Sequence, residues 1–158
     1  MKSNIRKAEE KDSPAIMDLL HQVNDIHADG RPDLFIHGCT KYTPTELAEI
    51  ITNPNKPVFV AINEEGILTG YCFCVIEDHE AANNLRKVKT LYIDDLCVSE
   101  RFRGQHIGQT IYGYVKVYAK ENGFYNLTLN VWSRNPNAIR FYESLGMQIQ
   151  KIGMEEII

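Results

Sequence analysis

The chain has 158 residues, 44% of them apolar and 24% charged, enough for one compact domain with its own core and too few for two of ordinary size. A formal charge of −4 and a pI near 5.7 exclude the broad basic face that non-specific nucleic-acid binding requires. The opening stretch MKSNIRKAEEKD has no apolar targeting core, and the longest apolar run, Tyr71 to Ile76, is far too short to cross a bilayer, so a soluble cytoplasmic protein without membrane or nucleic-acid partners is expected.

Residues 3–8 can form a first short strand. Asp12 or Ser13 then caps a helix with Pro14 in its first turn and Ile16, Leu19, Leu20 and Val23 on one stripe. Asp29 to Thr45 is interrupted by Gly30, Pro32, Gly38 and Pro44 and reads mostly as loop, after which Pro44 opens a second short helix with Leu47, Ile50 and Ile51 apolar. Val58–Ile62 and Leu68–Ile76 are apolar runs around Glu64-Glu65-Gly66, the pattern of a hairpin, and Val88–Val98 is a third long strand. A helix follows from Ile107 to Glu121, with Ile107, Ile111, Val115 and Tyr118 in line and Asn122-Gly123 as its stop. Leu127, Leu129 and Val131 alternate as a strand. Asn135-Pro136 starts a last helix carrying Ala138, Phe141, Tyr142 and Leu145 on one face, Gly146 ends it, and a final strand is drawn from Gln148 to Glu155.

This order predicts a single domain over residues 1–158, with antiparallel pairing in the hairpin and parallel pairing after residue 88, in a mixed α/β sheet of about six to seven strands flanked by helices. Four cysteines (Cys39, Cys72, Cys74, Cys97) and five histidines show no metal-ligand spacing, so no metal is expected and the cysteines read as buried, reduced thiols.

Between the third strand and its helix lies Arg103-Gly104-Gln105-His106-Ile107-Gly108. A helix beginning at His106 or Ile107 leaves its first N–H groups unpaired, its dipole favours negative charge there, Gly104 allows close approach, and Arg101 and Arg103 flank the turn. Such a turn is either a plain connector or a phosphate cradle. It is not a P-loop, which needs a following Gly-Lys pair, nor a dinucleotide fingerprint, which needs three glycines.

Three segments occur in order: Ile93-Asp94-Asp95-Leu96-Cys97-Val98, the Arg103–Gly108 turn, and Asn135-Pro136-Asn137-Ala138-Ile139-Arg140-Phe141-Tyr142-Glu143. Together they resemble the GNAT superfamily of acyl-CoA-dependent N-acetyltransferases, in detail over residues 88–147. In the family pattern R/Q-x-x-G-x-G/A, Arg103 and Gly108 match the ends and His106 replaces the inner glycine; in a first helical turn His106 needs no positive φ.

The resemblance implies that acetyl-CoA is the acyl donor, with N–H groups from Gln105 to Gln109 (Gln105, His106, Ile107, Gly108, Gln109), aided by Arg103 and Gly104, on its pyrophosphate. It further implies that Leu96, Cys97 and Val98 pair with the pantetheine, with a bulge near Asp95 to Leu96. Asn135 caps the last helix and, by resemblance, also touches the coenzyme. Tyr142 is expected to protonate the departing thiolate, although its place in the apolar stripe also fits simple packing. Asp95, with Asp94 close behind, is the candidate base for the incoming amine, and Glu77 a third; successive residues of a strand face opposite ways unless a bulge intervenes. Arg31, Asp33, Phe35 and Trp132 are candidate acceptor contacts. Cys97 lacks a partnering histidine in sequence, so direct attack is expected rather than a covalent enzyme intermediate. The acceptor expected is a small cationic primary amine, with peptide N-termini, protein lysines or a non-catalytic acyl-CoA-binding role as alternatives, and a homodimer is left open.

Overall fold

A computed structural model describes residues 3–158. Five strands lie in the order of the chain: β1 (Asn4–Lys7), β2 (Val58–Ile62), β3 (Leu68–Asp78), β4 (Lys89–Val98) and β5 (Asn126–Leu129). All neighbours are antiparallel except β4 and β5, which are parallel because α3 (Ile107–Glu121) crosses between them. Helices α1 (Ser13–Gly30) and α2 (Pro44–Thr52) follow β1, and α4 (Pro136–Ser144) follows β5.

The central strands are apolar on both faces because both faces are covered. Phe59, Ala61, Cys72, Cys74, Leu91 and Ile93 pack on Ile107, Ile111, Tyr112 and Val115 of α3. Their alternates Val58, Val60, Tyr71, Phe73 and Cys97 pack on Ile16, Leu19 and Leu20 of α1 and on Leu47 and Ile50 of α2. Ile16, Leu20, Leu47 and Ile111 are fully buried, each contributing about 1.5–3 kcal/mol of transfer free energy. The helices start where the residues allow: Thr43 and Glu46 form a reciprocal capping box ahead of Pro44, and the Asn135 side chain accepts from the Ala138 N–H at 3.2 Å. Asp12 is buried where β1 turns into α1 and takes a two-point contact from Arg6 at 2.7 and 2.9 Å; that guanidinium holds its carboxyl below the usual range.

Two expectations change. The sheet has five strands, not six or seven, because Gln148–Glu155 pairs with nothing: Ile149, Ile152 and Met154 are 74%, 78% and 95% exposed, and alternation cannot make a strand without an edge to join. Val131 likewise falls beyond the end of β5. Cys72, Cys74 and Cys97 are buried thiols, whereas Cys39 sits exposed on the loop between α1 and α2. Among the described residues, no helix is long and apolar enough to cross a membrane.

Gly70 of β3 is hemmed in by β4 and α3. A Cβ there would stand 2.8 Å from the Cys97 carbonyl oxygen and 2.9 Å from Ile111 Cδ1. Gly70→Ala is expected to lower unfolding free energy by about 1–3 kcal/mol through overpacking, read as a shifted urea midpoint at unchanged slope.

Candidate active site

The site begins with one extra residue. Along β4, Leu91 and Ile93 face α3, and regular alternation would send Asp95 and Cys97 the same way. Instead β3 pairs Cys74 with Ile93 and Phe73 with Asp95, so Asp94 has no cross-strand partner and is a bulge, next to the position expected from sequence. Beyond it the facing is inverted. Cys97 joins the α1–α2 core, Asp95 stands opposite Phe73, and Asp94 also reaches toward the loop between α1 and α2. The two carboxylates thus share a face.

Each carboxylate has distinct company. The Tyr71 hydroxyl donates to Asp95 Oδ2 at 2.7 Å. Desolvation outweighs this bond and the nearby Lys41 charge, and pushes the Asp95 carboxyl up to about 6, into the range of a useful proton acceptor. Asp94 Oδ2 accepts from Lys41 Nζ at 2.6 Å and from the Tyr42 hydroxyl at 2.9 Å, and stays 19% exposed. Tyr71, Lys41 and Tyr42 were not legible as site residues. Tyr71 lies inside an apolar run, and the other two lie more than fifty residues before their partner.

β4 and β5 pair only from Thr90 to Ile93. From Asp95 to Val98, Leu96 and Cys97 included, β4 pairs with β3 and has no β5 partner, leaving an edge toward the gap where β5 ends; at its last residue the Val98 carbonyl accepts from Arg103. Tyr142 of α4 is half-buried beside this gap. Burial drives its phenol well above the ordinary value, and the neighbouring Cys72 and Asp95 act in the same direction, so the hydroxyl keeps its proton at neutral pH. Cys97 faces the core, and burial pushes its thiol up to about 12, which disfavours a thiolate nucleophile.

The Arg103–Gly108 turn leads into α3. Gly104 takes φ +76°, and His106 is the helix N-cap at φ +60°. The expectation of a negative φ at His106 is corrected: the inner-glycine position is left-handed, and His occupies it with its Nδ1 bonded to Gln109 Oε1 at 2.7 Å. No side chain caps α3, so the N–H groups of Ile107, Gly108 and Gln109 point out of an open helix end, and the Thr110 N–H is the first to bond back, to the His106 oxygen. Arg103 is tied to this turn, donating to the Val98 carbonyl at 3.4 Å and pairing with Glu100. Gln105 and Gly104 lie exposed on it.

The wall of the site runs along the end of α1. Trp132 stands edge-on to Phe35 at 5.5 Å, and Phe35 lies 5.2 Å from His27, which burial and the Lys41 charge keep below its usual pKa. Arg31, Asp33, Trp132 and Arg134 border a cleft of about 540 Å³. Arg31 is already held there by a two-point pair with Asp33 at 2.8 and 2.7 Å and by Glu155. Glu77 is not brought to this group. It stands opposite Thr90, four residues along β3 from Phe73, about 13 Å by strand rise.

The site combines an open helix end, a strand edge without a β5 partner, a carboxylate pair and a buried, protonated phenol. The description Acetyltransferase (GNAT) family fits residues 20–147. The chain belongs to the GNAT acetyltransferases. It is therefore an acyltransferase. A thialysine N-epsilon-acetyltransferase from Bos taurus is 26% identical over 91% of this chain and 83% of its own length. A crystal structure of a mutant BH1408 protein from Bacillus halodurans superposes at a TM-score of 0.93 with 30% identity, covering 98% of this chain and 99% of the other. The glucosamine-6-phosphate N-acetyltransferase of Arabidopsis thaliana, at 24% identity, TM-score 0.72 and 99% coverage of both chains, shares the GNAT fold.

Two outcomes are expected. His106→Gly should raise stability by about 0.5–1 kcal/mol, since glycine takes a left-handed φ without steric cost, and should leave acetyl-CoA affinity within about tenfold, or 1.4 kcal/mol, by calorimetry. For Asp95 the folded carboxyl titrates above the unfolded one, so the native state binds the extra proton between about pH 4 and 6, and stability falls as pH rises through that window. Asp95→Asn removes this loss. Its melting temperature should exceed that of the wild type near pH 7, with the advantage shrinking toward pH 4.

Proposed function

We propose that the enzyme transfers an acetyl group from acetyl-CoA to the primary amine of a small cationic molecule by direct attack. The observation that carries this reading is the β4 edge from Asp95 to Val98 that has no β5 partner, flanked by the Asp94–Asp95 pair on one side and the Tyr142 hydroxyl on the other. The residues fit the coenzyme. The open N–H groups of Ile107, Gly108 and Gln109 suit its pyrophosphate, with Gln105 and Arg103 at the rim of the turn, and the edge at Leu96, Cys97 and Val98 suits its pantetheine amides. Asn135 is engaged in capping α4 through its Oδ1, leaving its amide N–H groups for a contact. When bound, the coenzyme supplies an electrophilic thioester carbonyl and a sulfur leaving group.

The chain's own residues manage charge and protons around it. Asp94 and Asp95 attract an ammonium into the cleft. Asp95, with a carboxyl near pH 6, is ionised at neutral pH and accepts the amine proton, directly or through water, with Tyr71 fixing its orientation. An alkylammonium near pKa ~10.4 yields that proton only in a small fraction of encounters, so the rate should climb with pH above the Asp95 titration. Tyr142 holds a proton beside the gap and donates it to the departing sulfur. A small amine with a carboxylate, as in the acceptor named for the bovine relative, would find a cation in Arg31 once Glu155 moves aside.

Tyr142→Phe keeps the ring and removes the proton. Melting temperature and acetyl-CoA affinity should change little while turnover falls by roughly 10²- to 10⁴-fold, measured by release of free coenzyme A over a panel of amines. The deficit should narrow for an acyl donor with a more acidic leaving thiol. Near-normal kcat would return Tyr142 to a packing role.

A further inference from the structure

Resting on the function just proposed, we infer that Lys41 is an acetylation site of the enzyme itself: its ammonium sits where the acceptor amine would be drawn, and with no acceptor present it takes the acetyl group. Lys41 belongs to the loop between α1 and α2, yet its Nζ crosses to β4 and donates to Asp94 Oδ2 at 2.6 Å. It feels the charge of Asp95 as well, and Asp95 in turn lies near enough to Tyr142 to bias that phenol. Lys41 is thus bonded to one residue of the carboxylate pair that the proposed function assigns to drawing in the acceptor amine.

The side chain is also free to move. It is 47% exposed, spans a cleft of about 280 Å³ bordered by Tyr42, Lys56 and Phe73, and holds its place by one ion pair and a cation–π contact with Tyr42 at 5.4 Å. The flexible four-carbon stem of Lys41 lets Nζ swing from Asp94 toward the β4 edge without moving the backbone.

The step balances. The neutral Nζ attacks the thioester carbonyl carbon, a C–N bond forms and the C–S bond breaks with its electrons on sulfur. Asp95 or water takes the amine proton, and Tyr142 protonates the thiolate and is reprotonated from solvent. The products are N-acetyl-Lys41 and free coenzyme A; the one proton released overall is that which the resting ammonium gives up before attack. The groups facing Lys41 are Asp94, Asp95 and Tyr92 from β4, Tyr42 beside it, His27 from α1 and Lys56. The two carboxylates prevail over burial and hold the amine in its charged form above the ordinary lysine range. The reactive neutral fraction is small at pH 7, and the modification rate should rise about tenfold per pH unit up to pH 9.

The full chain incubated with acetyl-CoA alone, followed by intact mass and peptide mapping, tests this. Expected are one added acetyl group at Lys41, a first-order rate that does not change on protein dilution, no such product from Lys41→Arg, and at least tenfold slowing in Tyr142→Phe. Acetyl groups scattered over several lysines at a rate indifferent to Tyr142→Phe would be spontaneous chemistry and would overturn the proposal, as would a rate proportional to protein concentration. The same preparation is assayed for coenzyme A release with thialysine and linear diamines. Turnover of an amine with Lys41 unmodified overturns the Lys41 assignment and leaves the function standing; no transfer to any amine or to Lys41 overturns both.

Discussion

One unpaired residue, Asp94, governs the geometry of the whole site. Without it β4 would alternate regularly, Asp95 would turn into the α3 core beside Ile93, and burial there would leave a carboxylate with no Tyr71 hydroxyl to bond. With it, two acidic side chains face the loop between α1 and α2, and β4 is bent just where its parallel partner β5 stops. The opening between these strands and the negative charge along it are therefore products of the same irregularity. The sheet gives up ladder bonds to create a surface that an extended molecule can complete.

The charge pattern around that opening is graded. Asp94 Oδ2 accepts from a cation and a phenol, whereas Asp95 accepts from the Tyr71 hydroxyl and is buried. Asp95, desolvated, exchanges a proton near neutral pH, while Asp94 holds the Lys41 cation. The Arg101–Arg103 turn and the open start of α3 add a separate region suited to an anion, while Lys41 beside the carboxylates is already paired with Asp94.

Sequence pattern disclosed the elements that carry their own boundaries. α3 was legible from Ile107 to Glu121 because its apolar stripe is periodic and Asn122-Gly123 ends it, and the hairpin because Glu64-Glu65-Gly66 divides two apolar runs. Asp94 and Asp95 were legible as a pair, and the bulge as a requirement for both to serve one pocket. What failed depends on partners distant in sequence. Gln148–Glu155 has the alternation of a strand and no neighbour to bond, His106 hides a left-handed φ that only the N-cap position explains, and Tyr71 and Lys41 meet their aspartates only through strand register and a folded loop. Local preference is written in neighbouring residues; juxtaposition across a sheet is not.

Gly108 lies where α3 meets α4: a Cβ there would lie 3.1 Å from the ring of Phe141, the residue next to Tyr142. The start of α3 and the face of α4 that carries Tyr142 therefore meet at Gly108 and Phe141. A coenzyme seated at the first turn of α3 would brace α4 as well, so the far end of a long, flexible ligand would help hold the acid steady at its reactive end.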